Sequence, residues 1–349
     1  MRYWKTKVPK AIALGVAFLI GGAALAAESL TELATGGIEF LKVSDNAALV
    51  LDSEEVRLTP TRSTFSYIVS NKGAIPLELV LGFRFPELDF SDPDAQYAIP
   101  GSDPVNFLNA TVRIDGAAAP FAITQRALLD GKDVTDLLRQ TKVALVPVGQ
   151  FQNQLADTAP ELRDKLVGQG LIVESGTSID GKPLFFPSWT VKTSSTRRVV
   201  VPPAGSIRIE LQYRPSVGVG PDTVLRKPLR DQKGLEADVR GKRATFCVDE
   251  AFLNGLDKLA GVEEANVNGV KELRLHLKTK MYSASSIPAT HYKLVVDKES
   301  TQRILSFCAG ELKKISETSF EMRADNYVPS AEINILMIDR KGLRPVNLR

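Results

Sequence analysis

Histidine and cysteine are nearly absent from this chain, with two of each among 349 residues. Two cysteines cannot build an all-cysteine structural zinc site, and two histidines leave little material for imidazole catalysis. Glycine (25) and proline (20) are too few for a low-complexity or collagen-like chain. An excess of one charge is also missing, since 44 basic residues face 41 acidic ones. The marks of several enzyme classes are lacking: there is no Gly-x-Ser-x-Gly elbow, no His-Glu-x-x-His helix and no P-loop. Neither Ser-x-x-Lys nor Lys-Thr-Gly accompanies Ser44-Asp45-Asn46, which therefore reads as a turn. What remains is globular material, 44% hydrophobic and 24% charged, in a length that suits about two domains.

The N-terminal segment sets the expected compartment. Arg2, Lys5, Lys7 and Lys10 precede an apolar run from Ala11 to Leu25 that closes on Ala24-Leu25-Ala26, the basic, apolar, small-residue order of a signal peptide. Residues 1–26 are expected to be cleaved; the alternative is a retained anchor, for which the run falls short of the ~20 residues of a spanning helix. Removing them takes away four basic and no acidic residues, leaving 40 against 41 and a net charge of −1. The apparent basicity belongs to the leader, so no global charge argument remains for nucleic acid or an anionic membrane. The mature chain is expected to be periplasmic or secreted, with no membrane span.

Beyond the leader, apolar residues recur mostly at every second position, as in half-buried strands. Leu77, Leu79, Leu81, Phe83 and Phe85 alternate with Glu78, Val80, Gly82 and Arg84, and Ile207, Ile209, Leu211 and Tyr213 with Arg208, Glu210 and Gln212. Asp115-Gly116 and Asp180-Gly181 stand where hairpins need positive φ. Within about 130–170 the period becomes helical: Val134, Leu137 and Leu138, then Leu162 and Leu166, share faces. Asp133 and Thr158 are placed as caps, Pro160 in a first turn, and Gly168 or Gly170 near an end. This insertion reads as a cover over one end or edge of the sheet, or as a lid over a ligand site.

Residues 215–243 begin with PSVGVGP and carry seven basic and four acidic residues, which reads as a linker or long loop. A helix follows, with Asp249 as cap, Phe252, Leu256 and Leu259 on one face, and Gly261 as stop; strands are expected over 273–277, 292–296 and 333–337. The expected fold class is mainly β. A sandwich-like domain over 27–214 with a helical insertion precedes a smaller β domain over 244–349 with one helix.

The densest acidic cluster, FPELDFSDPDAQYAIPGSDP, sets Glu87, Asp89, Asp92, Asp94 and Asp103 in a proline-rich loop with Tyr97. Several carboxylates in one loop suit Ca2+, which takes about six to eight oxygens, although the spacing fails the EF-hand pattern. The plainer alternative is a solvated loop in which Asp side chains make turns. A hydrolase would place two carboxylates, such as Asp92 and Asp94, across a cleft. Phe90, Tyr97, Trp189 and Tyr282 offer faces for a sugar, while Trp189 in SWTVKT also suits packing between sheets. His276 and His291 fall at surface or edge positions of strand patterns and meet only if their strands are neighbours.

Cys247 and Cys308 are the only cysteines, and export takes them to an oxidising compartment. Each abuts a phenylalanine, Phe246 and Phe307, in strand-like sequence, and the two are expected to pair.

Several blocks occur in a characteristic order: ELATGGIEF, QYRPSVG, FCVDEAF, YKLVVDK, ILSFCAGELKK and TSFEMRADNYVPSAEINILMI. In that order they resemble an exported bacterial family defined only as a domain of unknown function, over nearly the whole mature chain. Such chains usually carry an Asn-Trp-x-Gly-Pro-Ile-like stretch before the LVVDK strand, where this one has MYSASSIP with Tyr282 and Ile287-Pro288. The resemblance implies the fold and export and supplies no catalytic residue. The expected function is non-enzymatic binding of a small ligand or envelope protein, or an envelope-structural role, with no cofactor beyond the Ca2+ considered above. The alternatives are a periplasmic hydrolase using acidic-loop carboxylates and a membrane-tethered accessory subunit.

Overall fold

Alternating sequence becomes paired strands in the computed structural model, which describes residues 29–92, 96–148, 155, 158–177, 181–260, 270–278, 287–329 and 332–340. Strands of at least four residues are, in chain order, β1 (Glu39–Val43), β2 (Leu49–Leu58), β3 (Ser63–Asn71), β4 (Leu77–Arg84), β5 (Thr111–Ile114), β6 (Ala122–Leu129), β7 (Ile172–Thr177), β8 (Pro183–Pro187), β9 (Thr190–Val201), β10 (Ser206–Tyr213), β11 (Val270–Lys278), β12 (Ala289–Asp297), β13 (Ile304–Phe307), β14 (Ser319–Tyr327) and β15 (Glu332–Arg340). The helices are α1 (Thr135–Gln140), α2 (Pro160–Gly168), α3 (Lys227–Arg230), α4 (Glu236–Phe246) and α5 (Glu250–Ala260). Among the described residues no helix is long and apolar enough to cross a membrane.

An eight-stranded sheet runs Lys313–Lys314, β14, β12, β2, β3, β10, β5, Ala117–Ala118, and a six-stranded sheet runs Lys132–Asp133, β6, β9, β4, β1 with Leu88–Asp89 also on β9. Their inner faces meet. Phe83 of β4 lies 5.3 Å, centroid to centroid, from Tyr213 of β10, and the alternating residues of both strands are buried as expected. This is sandwich-like packing, with the polar residues of each strand turned outward.

A third sheet joins Thr35–Gly36, β11, β15 and β13, with Gly218–Gly220 also on β11. It is covered on both faces. Leu273, Leu275, Leu277, Ile333, Ile335 and Met337 enter the main core, whereas Leu336 and Ile338 meet Phe246, Phe252 and Leu256 of α4 and α5 in a smaller one. Burial on both sides explains why 333–338 is apolar almost without interruption.

Residues 215–243 differ from the expected linker. Ser216, Thr223, Leu225 and Arg226 are buried, and a strand and two helices occupy much of the segment. Its charges pair inside the fold: Arg226 with Asp222 at 2.6 Å, Arg230 with Asp257 at 2.6 Å, Lys242 with Glu272 at 2.5 Å. Nor do the sheets follow that division of the chain. β12 lies parallel to β2, with Leu294 opposite Val56, so strands from beyond 243 extend the sheet begun by β2 and β3. One core consequently runs from Leu33 to Met337.

The helical insertion is present as α1 and α2. Leu138, Val143, Leu145, Val146 and Leu166 belong to the main core, which is the covering role. Trp189, fully buried just before β9, donates its indole N–H to Leu145 O at 2.7 Å and ties the insertion to the sheet. Ala159 rather than Thr158 is the N-cap of α2, because Pro160 opens that helix; Gly170 follows its end at φ 70°. Asp249 caps α5 as expected, accepting the Phe252 N–H at 2.7 Å. Asp115 and Gly116 form their turn at φ 51° and 80°, whereas Asp180 and Gly261 lie outside the described residues. The disulfide between Cys247 and Cys308 is present, with Cα atoms 5.1 Å apart. Cys247 is not in strand-like backbone: it ends α4 in the left-handed conformation.

Val134 holds the N-cap position of α1, but Asp133 Oδ1 accepts the Thr135 N–H at 3.0 Å. Hydrogen bonds from Thr135, with a further one from Arg126, lower the Asp133 carboxyl to about 2. A carboxyl lowered on folding stabilises the folded state above its unfolded value of about 3.9, and that contribution disappears as pH falls toward 2. The Asp133 resonance is therefore expected to titrate near 2, and Asp133→Asn to flatten the pH dependence of stability between about pH 4 and 2. An NMR titration centred near 4 would show that these hydrogen bonds do not form.

Candidate functional site

Where β9 begins, the outer face of the six-stranded sheet deepens into an open cleft of about 290 Å3, lined by Glu87, Ser91, Leu128, Asp130, Gly131, Ser188, Thr190 and Lys192. Strand period explains the floor: Val191 and Thr193 are buried, so Thr190 and Lys192 turn outward. Leu128 of β6 stands opposite Thr190, and Asp130 and Gly131 close the hairpin beyond it at φ 49° and 78°. Glu87 and Ser91 flank Leu88–Asp89, which pairs with Thr190 and Val191.

Lys192 Nζ lies 3.3 Å from Glu87 Oε2, with both side chains 55% exposed. Such a pair is screened and weak, leaving both charges available to a ligand. Asp89 accepts the Ser91 hydroxyl at 2.7 Å and its N–H at 3.0 Å, and the Thr190 hydroxyl at 3.3 Å. These bonds, the Ser91 hydroxyl foremost, hold its carboxyl below the ordinary range. The Tyr97 hydroxyl donates to the Asp89 carbonyl at 3.0 Å, and partial burial raises its pKa. Phe90 meets the Tyr97 ring edge-on at 6.2 Å.

The acidic loop thus contributes Glu87 and Ser91 to the lining, and Asp89, which braces the cleft wall. Asp103 turns its own loop, accepting the Val105 N–H at 2.8 Å. Asp92 is exposed beside the cleft residue Ser91, while Asp94 and Tyr282 lie outside the described residues. No group of three or more His, Cys, Asp or Glu among the described residues is placed to hold a metal ion. Trp189 is buried and offers no sugar-stacking face. His276 and His291 sit in different sheets, paired with Glu332 at 2.8 Å and Asp325 at 2.9 Å. Sequence reasoning passed over Ser188, Thr190, Lys192 and Asp130. The available signals were the outward positions of SWTVKTSST and the Asp130-Gly131 turn.

A second concavity, between Glu54, Tyr67 and Tyr292, has only about 10 Å3. That is room for at most about one water. Gly37 backs against the Tyr67 hydroxyl, which accepts the Ile38 N–H at 2.9 Å; a Cβ there would collide with that oxygen.

A family model described as a domain of unknown function, DUF4424, matches residues 26–336. No curated protein matches the chain. Among solved structures, a Legionella pneumophila protein assigned a provisional nutrient-binding role aligns with TM-score 0.44 and 9% identity, over 89% of this chain and 72% of that one. An M1 zinc metallopeptidase from Deinococcus radiodurans aligns with TM-score 0.25 and 8% identity, over 83% of this chain and 42% of that one. At these scores neither likeness transfers a fold or a function.

Proposed function

The chain belongs to the DUF4424 family, and from that premise we propose an exported, non-enzymatic binding protein that holds a small polar ligand in the cleft between Glu87 and Asp130. The observation that carries this reading is the lining: three hydroxyls from Ser91, Ser188 and Thr190, charges of both signs, and the single apolar side chain of Leu128. A few convergent polar groups in one concavity are what orients a small ligand. A hydrolase of the carboxylate type needs an acid whose pKa is raised. Asp89, which braces the cleft wall, is instead lowered. The disulfide supports an oxidising compartment and agrees with the expected leader.

Isothermal titration with neutral and acidic monosaccharides and amino acids tests the reading. At least one is expected to bind, and Thr190→Trp, which fills the cleft from an outward position, is expected to weaken it about tenfold or more with the melting temperature unchanged. Absence of binding by every member overturns the reading. Steady turnover of glycan or ester substrates, abolished by Asp92→Asn, would replace it with the hydrolase.

A further inference from the structure

We infer that the ligand of the cleft is an amino sugar, with its ammonium group on Asp130 and its hydroxyls on Ser188, Thr190 and Asp89; this rests on the cleft being a binding site. Strand register fixes where these groups stand. Thr190 of β9 has Asp89 opposite it on one side and Leu128 of β6 on the other. Asp130 follows Leu128 by two residues at the hairpin turn, and Ser91 follows Asp89 by the same two. Strands ~4.8 Å apart that rise ~3.4 Å per residue place the backbones of Asp89 and Asp130 about 12 Å apart, on two sides of the step from Ser188 to Thr190. One sugar ring with its substituents, hydrogen-bonded at both ends, spans that interval.

The charges of the cleft do not cancel. Glu87, Asp130 and Lys192 line it, two negative and one positive, for a net charge of −1. Lys192 lies 3.3 Å from Glu87 and offsets it. Arg126, opposite Lys192, keeps Asp133 at 2.9 Å. Asp89 adds a further negative charge at the rim, and its lowered pKa keeps it ionised at neutral pH. Its bonds from Ser91 and Thr190 all go to Oδ1, so Oδ2 remains to accept a ligand hydroxyl. Asp130 has no ion-pair partner among the described residues.

This arrangement selects among ligands. An ammonium on Asp130 makes a charge-assisted hydrogen bond, about twice as strong as a neutral one. A metal ion fits less well, since no group of three or more His, Cys, Asp or Glu among the described residues is placed to hold one, and Lys192 adds like charge. An α-amino acid brings a carboxylate beside its ammonium, which Asp130 and Asp89 repel. A purely aliphatic amine leaves the hydroxyls of Ser91, Ser188 and Thr190 without partners in the ligand.

Calorimetric titration with glucosamine, glucose, N-acetylglucosamine and propylamine tests the inference. Glucosamine is expected to bind at least tenfold more tightly than each of the others, and less tightly as salt is added. Asp130→Asn, which the left-handed φ of 49° accommodates, should lower glucosamine affinity tenfold or more and bring it level with glucose. Glu78→Gln, exposed and opposite Val200 at the far end of β9, should leave it unchanged. Equal affinity for glucosamine and glucose in the unsubstituted protein overturns the ammonium assignment and leaves the cleft standing, as does a preference that survives Asp130→Asn. Propylamine binding as tight as that of glucosamine, or displacement of glucosamine by equimolar Ca2+, marks a general cation site and overturns the amino sugar. Undiminished glucosamine binding in Thr190→Trp puts the sugar outside the cleft and overturns the inference. Absence of glucosamine binding overturns it too, and the wider panel of sugars and amino acids then decides the cleft separately.

Discussion

Replacing Cys247 and Cys308 together by serine is expected to lower the unfolding free energy by about 4 kcal/mol. The bond joins residues 61 apart, and an unlinked loop of that length gains conformational entropy on unfolding. It also clamps the end of α4 to the end of β13, where the Ser306 hydroxyl donates to Phe246 O at 2.9 Å. The smaller core under α4 and α5 depends on that clamp, so hydrogen exchange should accelerate in these helices before the sandwich. Urea unfolding of the oxidised, reduced and doubly substituted protein provides the measurement. A loss below about 1 kcal/mol would show that the fold does not rely on the link.

Trp189→Ala is expected to destabilise by about 3 to 5 kcal/mol. The indole is fully buried, and the substitution leaves both a cavity and a Leu145 carbonyl without its donor. Trp189→Phe separates the two causes, since it keeps much of the ring and loses the N–H; about 1 to 3 kcal/mol is expected. Trp189 lies between Ser188 and Thr190, so the alanine variant should also weaken ligand binding in the cleft. Thermal unfolding and titration on the same samples read both effects. Unchanged stability in Trp189→Ala would mean that the insertion is not held through this residue.

Local patterns carried much of the architecture. The alternation in β4 and β10, the Asp115-Gly116 turn and the Asp249 cap are interactions between residues near in sequence, or one-face burial, and were readable for that reason. The charged stretch 215–243 misled because its partners are remote: Glu272, for example, lies 30 residues from Lys242 and is 1% exposed. Charges that look solvated in sequence are buried in pairs once distant segments meet. Similarly, nothing local to β12 announces that it will lie parallel to β2.

The acidic loop shows the same limit at the site. Its composition drew attention to Glu87, Asp89, Asp92, Asp94 and Asp103; Glu87 lines the cleft and Asp89 braces its wall, but Asp103 turns its own loop. The residues that shape the cleft come from β9, from the hairpin after β6 and from the strand pair at Leu88–Asp89.

By itself the sequence determined the β-rich class, the pairing of its only two cysteines and the membership of its family, because each depends on periodicity, composition or the order of local blocks. Only the tertiary structure decided that strands from both ends share one sheet and that Glu87, Asp130, Thr190 and Lys192 surround one cleft. The physical reason is that strand pairing and side-chain convergence are non-local: they minimise exposed apolar surface and unpaired backbone groups over the whole chain, and no short window records that outcome.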